Sequence, residues 1–232
     1  MRARALALGV PKWDCHVHTH YTDGTPGVEA AVARAIEIGL ARIAFTEHTE
    51  PWQARADHWF PGYLEDIRAS QRRHAGTIEV IAGLEAPATD FEGGLGITED
   101  MAGQIDYLIG AAHRYPGLGD RRVRDLELPE AIDLEYRTLM ALAGNSRIDA
   151  IAHPGATCEK YCGPFPVELL REVIRAAARH GRAIEINAEY HRTLADVVRI
   201  CIEEDAVVTL GSNAHTLDQI GTVHEAIEKV LS

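Results

Sequence analysis

The 232-residue chain is poor in positive charge, aromatic side chains and cysteine, and no apolar run approaches the roughly 20 residues of a membrane span. Its 23 Lys and Arg stand against 35 Asp and Glu, a formal net charge of −12. That balance excludes loose electrostatic binding to DNA or to acidic membranes, so neither an extended nucleic acid nor a membrane is an expected partner. Small anions remain open, because a metal-filled site reverses the sign locally. The four cysteines, Cys15, Cys158, Cys162 and Cys201, are scattered in a chain large enough to bury its own core. No disulfide framework is needed, and reduced thiols are expected. Cys158 and Cys162 have a CxxxC spacing, but no second pair completes a zinc set. The opening "MRARALALGVPKW" has a short apolar stretch with no cleavage pattern after it, so a cytoplasmic protein is expected. No linker, low-complexity segment or charge block marks a boundary, and residues 1–232 are expected to form one domain. The oligomeric state leaves no mark on the sequence.

What the chain does have is a repeating unit. Seven short apolar runs, "KWDCHVH", "RIAFTEH", "IEVIAGLE", "DYLIGAAH", "DAIAHPG", "AIEINAE" and "AVVTLGSNAH", alternate with helical patterns. The runs are continuously apolar, as in parallel strands covered on both faces. "TPGVEAAVARAIEIGLA" places Pro26 near a helix start and Gly39 near its end, and "PFPVELLREVIRAAARHG" closes on Gly181. Strict β-α alternation implies a parallel sheet or barrel.

Each run ends in a histidine or an acid: His16 and His18, His48, Glu85, His113, His153, Glu185, then Asn213 with His215. In a β/α barrel the C-terminal strand ends face one mouth, where active sites are built. The scattered residues are therefore expected to form one cluster. His16 and His18, two apart on a strand, share a face and can hold one ion. A single HxH pair is ordinarily just a partly exposed pair; repetition at successive strand ends is what changes the reading. Imidazole and carboxylate together suit Zn, Mn or Fe, and the number of candidates exceeds one tetrahedral shell, so two or three divalent transition metals are expected. Such ions position an ester, acidify water and stabilise a leaving oxygen, which suits phosphate ester hydrolysis.

At these residues the chain resembles the PHP (polymerase and histidinol phosphatase) family of metal-dependent phosphoesterases, whose fold is a distorted (β/α)7 TIM-like barrel. "DCHVHTHYTDG", "FTEH", "GLEA", "GAAHR", "IAHPG" and "GSNAH" occur in the order of its motifs. The resemblance implies that His16, His18 and Glu85 bind a first metal, and that Glu85 bridges to a second held by His113 and His153. It gives a third to Asp23, His48 and His215. It also implies hydrolysis of a small phosphomonoester, histidinol phosphate or a related metabolite, with no protein nucleophile.

Asn213 departs from the family pattern, which has Asp there as a first-site ligand; Asn supplies a carbonyl oxygen without the charge. Retained activity is the expectation, because every other ligand position is intact. Glu47 replaces the more usual Asp and is expected to orient a neighbouring ligand or water, or to be a solvated charge. Arg114 and Arg192 are candidate phosphate binders, and His20 a candidate at the mouth. Arg55 and Lys160 are expected to pair with surface acids. Cys15 is expected to pack in the core. The loops 50–63, 90–100 and the stretch with Gly117, Gly119 and "RRVRD" are candidates to shape a pocket. Two other functions remain open: a small phosphodiesterase acting on nucleotides, and a non-catalytic metal-binding barrel, which Asn213 alone favours. Amidohydrolase-type hydrolysis lacks its usual eight strands and placed lysine.

Overall fold

The computed structural model describes residues 1–187, 189–190 and 194–232. Seven parallel strands follow one another in chain order: β1 Trp13–Val17, β2 Arg42–His48, β3 Glu79–Pro87, β4 Tyr107–Ala111, β5 Ala150–Ile151, β6 Ala183–Asn187 and β7 Val208–Gly211. The helices between and after them are α1 Val28–Glu37, α2 Trp59–Arg73, α3 Glu99–Ala102, α4 Leu128–Gly144, α5 Ala156–Tyr161, α6 Val167–His180, α7 Leu194–Glu203 and α8 Thr222–Leu231. All seven expected strands are present, and the fold is a (β/α)7 TIM-like barrel.

The barrel closes through its ends. At the C-terminal end the His18 amide donates to Ala214 O at 2.8 Å and the Ala214 amide to His16 O at 3.1 Å. At the other end the N-terminal residues fill the seam: Ala3 N reaches Ala206 O at 2.8 Å, and Val208 N reaches Met1 O at 2.7 Å. Asp14, fully buried, ties the two edges side to side by accepting from Ser212 N at 2.9 Å and Gly221 N at 2.8 Å. Burial pushes its carboxyl up, against those amides.

The α6 pattern folds as read, with Gly181 in the left-handed region (φ 71°) as its cap. Strand β5 is shorter than its apolar run, because the chain turns at His153, itself left-handed at φ 25°, before Pro154. Tyr63 on α2 is fully buried and donates to both Phe45 O (3.0 Å) and Gly83 O (2.6 Å), locking α2 onto β2 and β3. Trp59, Phe60 and Tyr63 therefore pack together inside the protein, and of the loop's aromatic residues Trp52 alone lines the mouth, beside Glu50 and Gln53.

Glu135 on α4 is buried and organises the turn after β5. It accepts from Tyr115 Oη at 2.7 Å and from the Cys158 amide at 2.5 Å. Burial pushes its carboxyl up to about 7, against these donors and the Thr157 and Gly155 amides. A raised folded-state pKa contributes stability that is complete below about 4.5 and is lost as pH rises through about 7. Replacing Glu135 by Gln removes that dependence. The unfolding free energy of wild type minus variant, measured by urea titration, is expected to fall by about 2–3 kcal/mol between pH 4.5 and 7.5; a pH-independent difference would contradict the buried, proton-holding carboxyl.

Candidate metal centre

Glu85, the seventh residue of β3, points up the barrel axis with no solvent exposure, and the sequence-predicted residues surround it. Its Oε1 lies 3.0 Å from both His113 Nε2 and His153 Nε2. Its Oε2 lies 3.1 Å from His48 Nδ1, 3.4 Å from His16 Nε2 and 3.7 Å from His18 Nε2. His16 and His18 meet at 3.1 Å through their Nε2 atoms, and Asn213 Oδ1 lies 3.0 Å from His18 Nε2. Asp23 Oδ2 lies 3.2 Å from His215 Nε2 and 3.5 Å from His48 Nε2.

The proposed ligands thus converge, but the grouping differs: His153 stands with His16 and Glu85, and His48 joins Glu85 and His113 as well as Asp23 and His215. His18 and His48 each face two ways: His18 turns Nδ1 to Asp23 at 3.9 Å, so its ring joins the Asp23, His48 and His215 set as well as the His16 and Glu85 set. Only His16, His48 and Glu85 lie within strands; His18, His113, His153, Asn213 and His215 follow strand ends. Asn213 is left-handed (φ 50°), a conformation Asn tolerates, and its carbonyl accepts from His215 Nδ1 at 2.8 Å.

Buried atoms without partners mark where cations fit. His18 Nδ1, His48 Nδ1, Glu85 Oε2 and Glu50 Oε2 are buried and unbonded, all beside this cluster. Lone pairs and carboxylate oxygens turned toward one another have no low-energy arrangement unless protons or cations lie between them. The donor set of imidazole and carboxylate suits zinc, manganese or iron. Three groups among the described residues can hold an ion: His18, Asp23, His48 and His215; His16, Glu85 and His153; and His48, Glu85 and His113.

The electrostatics match the packing. Burial opposes the charge on His16, yet Glu185 and Glu85 raise it to about 10. His48 is likewise raised, to about 9, by Glu85 and Asp23 against burial. Burial and its histidine neighbours hold His18 well below the usual range. Burial works against the Glu85 carboxylate, but His113, His16 and His48 keep it well below the ordinary carboxylate range.

Two acids beyond the expected ligands fix ring orientation. Glu185 on β6 takes His16 Nδ1 at 2.8 Å and the His153 amide at 2.7 Å. Glu50, two residues past His48, takes His113 Nδ1 at 2.8 Å. Each holds a proton on Nδ1 and leaves Nε2 facing Glu85. Glu185 stood out as a strand-end acid, whereas Glu50 had no periodic signal and becomes visible only when β2 and β4 are brought together.

Several other readings are resolved. Glu47 points away from the cluster and braces the β1–α1 loop, accepting from Thr19 N at 2.7 Å and Thr19 Oγ1 at 2.5 Å, and also from Thr22 Oγ1. Burial pushes its carboxyl up to about 7. Arg55 does not pair with an acid: its guanidinium donates to Thr22 O and Gly24 O at 2.7 Å each, holding the loop that carries Asp23. His20 is exposed against the Tyr21 ring and is absent from the cavity lining, because the chain turns back with His20 N bonded to Pro26 O at 2.9 Å. Arg114 does line the cavity and donates to Gly119 O. Arg192 lies outside the described residues. All four cysteines are free: Cys15 is buried with its thiol against Thr209, and Cys162 donates to Val123 O at 3.3 Å. Loop 90–100 packs on Asn145 instead of the mouth, with Asn145 Nδ2 donating to Gly93 O at 2.6 Å.

The family model for the PHP domain matches residues 14–189. The chain belongs to the PHP domain family. Among its relatives is a "Probable histidinol-phosphatase" of Deinococcus radiodurans, 30% identical over 90% of this chain and 88% of that protein. A "Probable phosphatase" of Acetivibrio thermocellus is 24% identical over 94% of this chain and 86% of the relative. The fold is shared with the crystal structure of a histidinol phosphate phosphatase from Lactococcus lactis in complex with zinc, L-histidinol and phosphate. That match has a TM-score of 0.70 at 20% identity and covers 96% of this chain and 94% of the other. The matched segment spans β1 to β6, while β7 with Asn213 and His215 after it lies beyond the match.

Close approach at β7 makes one glycine indispensable. A Cβ on Gly211 would stand 2.0 Å from Glu185 Oε1 and 2.5 Å from His16 Cβ, so any side chain there pushes Glu185 off His16. Gly144, at the end of α4, has nothing within 4 Å of such a Cβ. Gly211→Ala is expected to destabilise by about 1–3 kcal/mol in urea unfolding. Gly144→Ala is expected to be neutral or stabilising by up to about 1 kcal/mol. Equal effects would contradict the tight packing at the cluster.

Proposed function

We propose that this chain is a metal-dependent phosphoesterase that hydrolyses a small phosphomonoester, and that residues 1–232 act as one PHP-type barrel domain. The reading rests on one observation above all: Glu85, buried at the barrel mouth, has both oxygens within 3.7 Å of ring nitrogens of five histidines. In this reading His16, His18, Glu85 and Asn213 hold one ion, and Glu85, His113 and His153 a second. Asp23, His48 and His215, with His18 beside them, hold a third. Divalent ions there, zinc, manganese or iron, would lower the pKa of water, bind phosphoryl oxygens and stabilise the leaving oxygen.

The chain's own groups orient that chemistry. Glu185 and Glu50 accept the Nδ1 protons of His16 and His113, which leaves Nε2 of each ring aimed at the site as the atom that would meet an ion. Arg55 and Glu47 fix the loop that carries Asp23. Arg114, on the cavity wall, is placed to bind phosphoryl oxygens. Among the described residues of the mouth no serine or cysteine stands as a nucleophile, which agrees with attack by water. The name of the Deinococcus relative makes histidinol phosphate the first metabolite to try. No helix of the described residues is long and apolar enough to cross a membrane; with four free cysteines, a cytoplasmic location fits.

Metal-stripped protein should be inactive on p-nitrophenyl phosphate and regain turnover with Zn, Mn or Fe(II) better than with Mg. Glu50→Gln should reduce activity or metal affinity by roughly 10- to 100-fold while leaving the fold intact, and Glu85→Gln should abolish turnover. Preference for bis-p-nitrophenyl phosphate would move the assignment to a phosphodiesterase. A wild type inert with every metal, beside an active Asn213→Asp variant, would make the natural protein a metal-binding barrel without catalysis.

A further inference from the structure

The cavity above the metal centre has a volume of about 470 Å³, far more than a phosphoryl group fills and within the range that encloses whole small-molecule ligands. Its walls differ sharply in charge from the chain as a whole. Beyond the acids of the centre itself, Asp23 and Glu50, the lining contains the acid Asp120 but the cations Arg114, Arg121, Arg122, Arg124 and Lys160. This concentration occurs in a protein of net charge −12, so it is a local feature of the mouth.

Most of these cations are already engaged. Arg121 pairs with Glu130 at 2.6 Å, Arg122 with Asp125 at 2.9 Å, and Arg114 donates to Gly119 O. Arg124 and Lys160 have no carboxylate partner among the described residues. Lys160 is instead held between two rings, its Nζ 5.0 Å from the Tyr190 centroid and 5.5 Å from that of Tyr161. Aromatic faces position an ammonium without neutralising it. The Tyr190 ring also packs edge-on against His153, at 5.4 Å between centroids, so Lys160 is linked to the metal centre through one side chain. The Arg124 segment is fastened to the same wall by the Cys162 thiol on Val123 O, which gives the CxxxC pair a structural role.

We propose that Arg124 and Lys160 form a second anion subsite, so that the preferred substrate is a phosphomonoester carrying another anionic group, a carboxylate or a second phosphate, at its far end. The inference rests on the phosphomonoesterase reading above and narrows it. A substrate that carries cationic instead of anionic groups beyond its phosphate, such as histidinol phosphate with its ammonium and imidazole, finds no opposite charge on this wall and is disfavoured. Neither residue touches the reacting atoms; both act on substrate binding and selection.

The test compares kcat/KM of the metal-loaded enzyme for glucose 6-phosphate, 6-phosphogluconate and glucose 1,6-bisphosphate, for the glycerol-based pair glycerol 3-phosphate and 3-phosphoglycerate, and for histidinol phosphate. At least a tenfold preference for the bis-anionic member of a pair is expected. The carboxylate and bisphosphate arms tell which anion is read. In Lys160→Gln and Arg124→Gln the preference should collapse toward one, chiefly through KM, and Lys160→Arg should restore most of it. Rising salt should weaken the preference. Equal kcat/KM across both scaffolds, a preference for histidinol phosphate, or a preference untouched by both variants would overturn the subsite while leaving the phosphatase reading standing. Failure to hydrolyse even p-nitrophenyl phosphate with any metal would remove both.

Discussion

A single carboxylate at the centre of the barrel mouth sets the terms for everything around it. Glu85 has no solvent contact, and an isolated ionised carboxylate in such a place is prohibitively costly. Its charge persists because imidazoles from β1, β2 and the turns after β4 and β5 face its two oxygens. Those imidazoles are themselves buried or half-buried and close enough to repel one another when protonated, so the cluster cannot be satisfied by protons at every site. Burial first, and then His48, His16 and His215 around it, hold His18 well below the ordinary imidazole range. A set of facing donors with too few protons is the electrostatic definition of a cation site, and the fold must keep it from relaxing.

Rigidity comes from polar braces around the cluster, most of them buried. Asp14 joins the amides of Ser212 and Gly221 to β1, Glu47 gathers the β1–α1 loop, Arg55 caps the same loop from outside, and Glu135 gathers the turn after β5. Each brace is an ionisable side chain bonded to backbone of a segment that also bears a cluster residue. At its C-terminal end the barrel closes through two hydrogen bonds beside His16 and His18, so the contacts that close this end also position the site. Left-handed backbone at His153 and Asn213 is tolerated because these contacts leave the chain no other path.

The residues most easily read from sequence were those whose position follows from local periodicity. His16 and His18 share a face because side chains alternate, and Glu85 and His48 end apolar runs; such features need no tertiary knowledge. All seven strands were visible for the same reason, as was the resemblance to the PHP family, whose motifs are these strand ends. Glu50 was not visible, because its partner His113 is 63 residues away and no local pattern links them. The place of Glu47 beside His48 suggests a group that orients a ligand or water, or a solvated charge; the chain bends so that the Thr19 and Thr22 hydroxyls of the β1–α1 loop reach it instead. Lys160 and Arg55 are surface cations by type, and only the fold shows one held over aromatic rings and the other spent on backbone carbonyls. The Gly-rich loop 90–100 follows a mouth-side strand, yet Asn145 draws it outward.

Asn213 has two tasks at the cluster, and only one of them uses its side chain. Its side-chain oxygen lies beside His18 Nε2, and its backbone carbonyl orients the His215 ring through Nδ1. The second task depends on the left-handed turn, not on a carboxylate, and would persist with either Asn or Asp. A neutral oxygen donates less to a cation than a carboxylate does, so the weakened point lies on the side of the cluster formed by His16 and His18. Glu185 stands behind that side, with one oxygen on His16 Nδ1 and the other on the His153 amide. A carboxylate there makes the imidazole a more basic ligand. Buried carboxylates thus flank the His16 imidazole on both sides, Glu85 before it and Glu185 behind it, while Asn213 turns a neutral oxygen to His18.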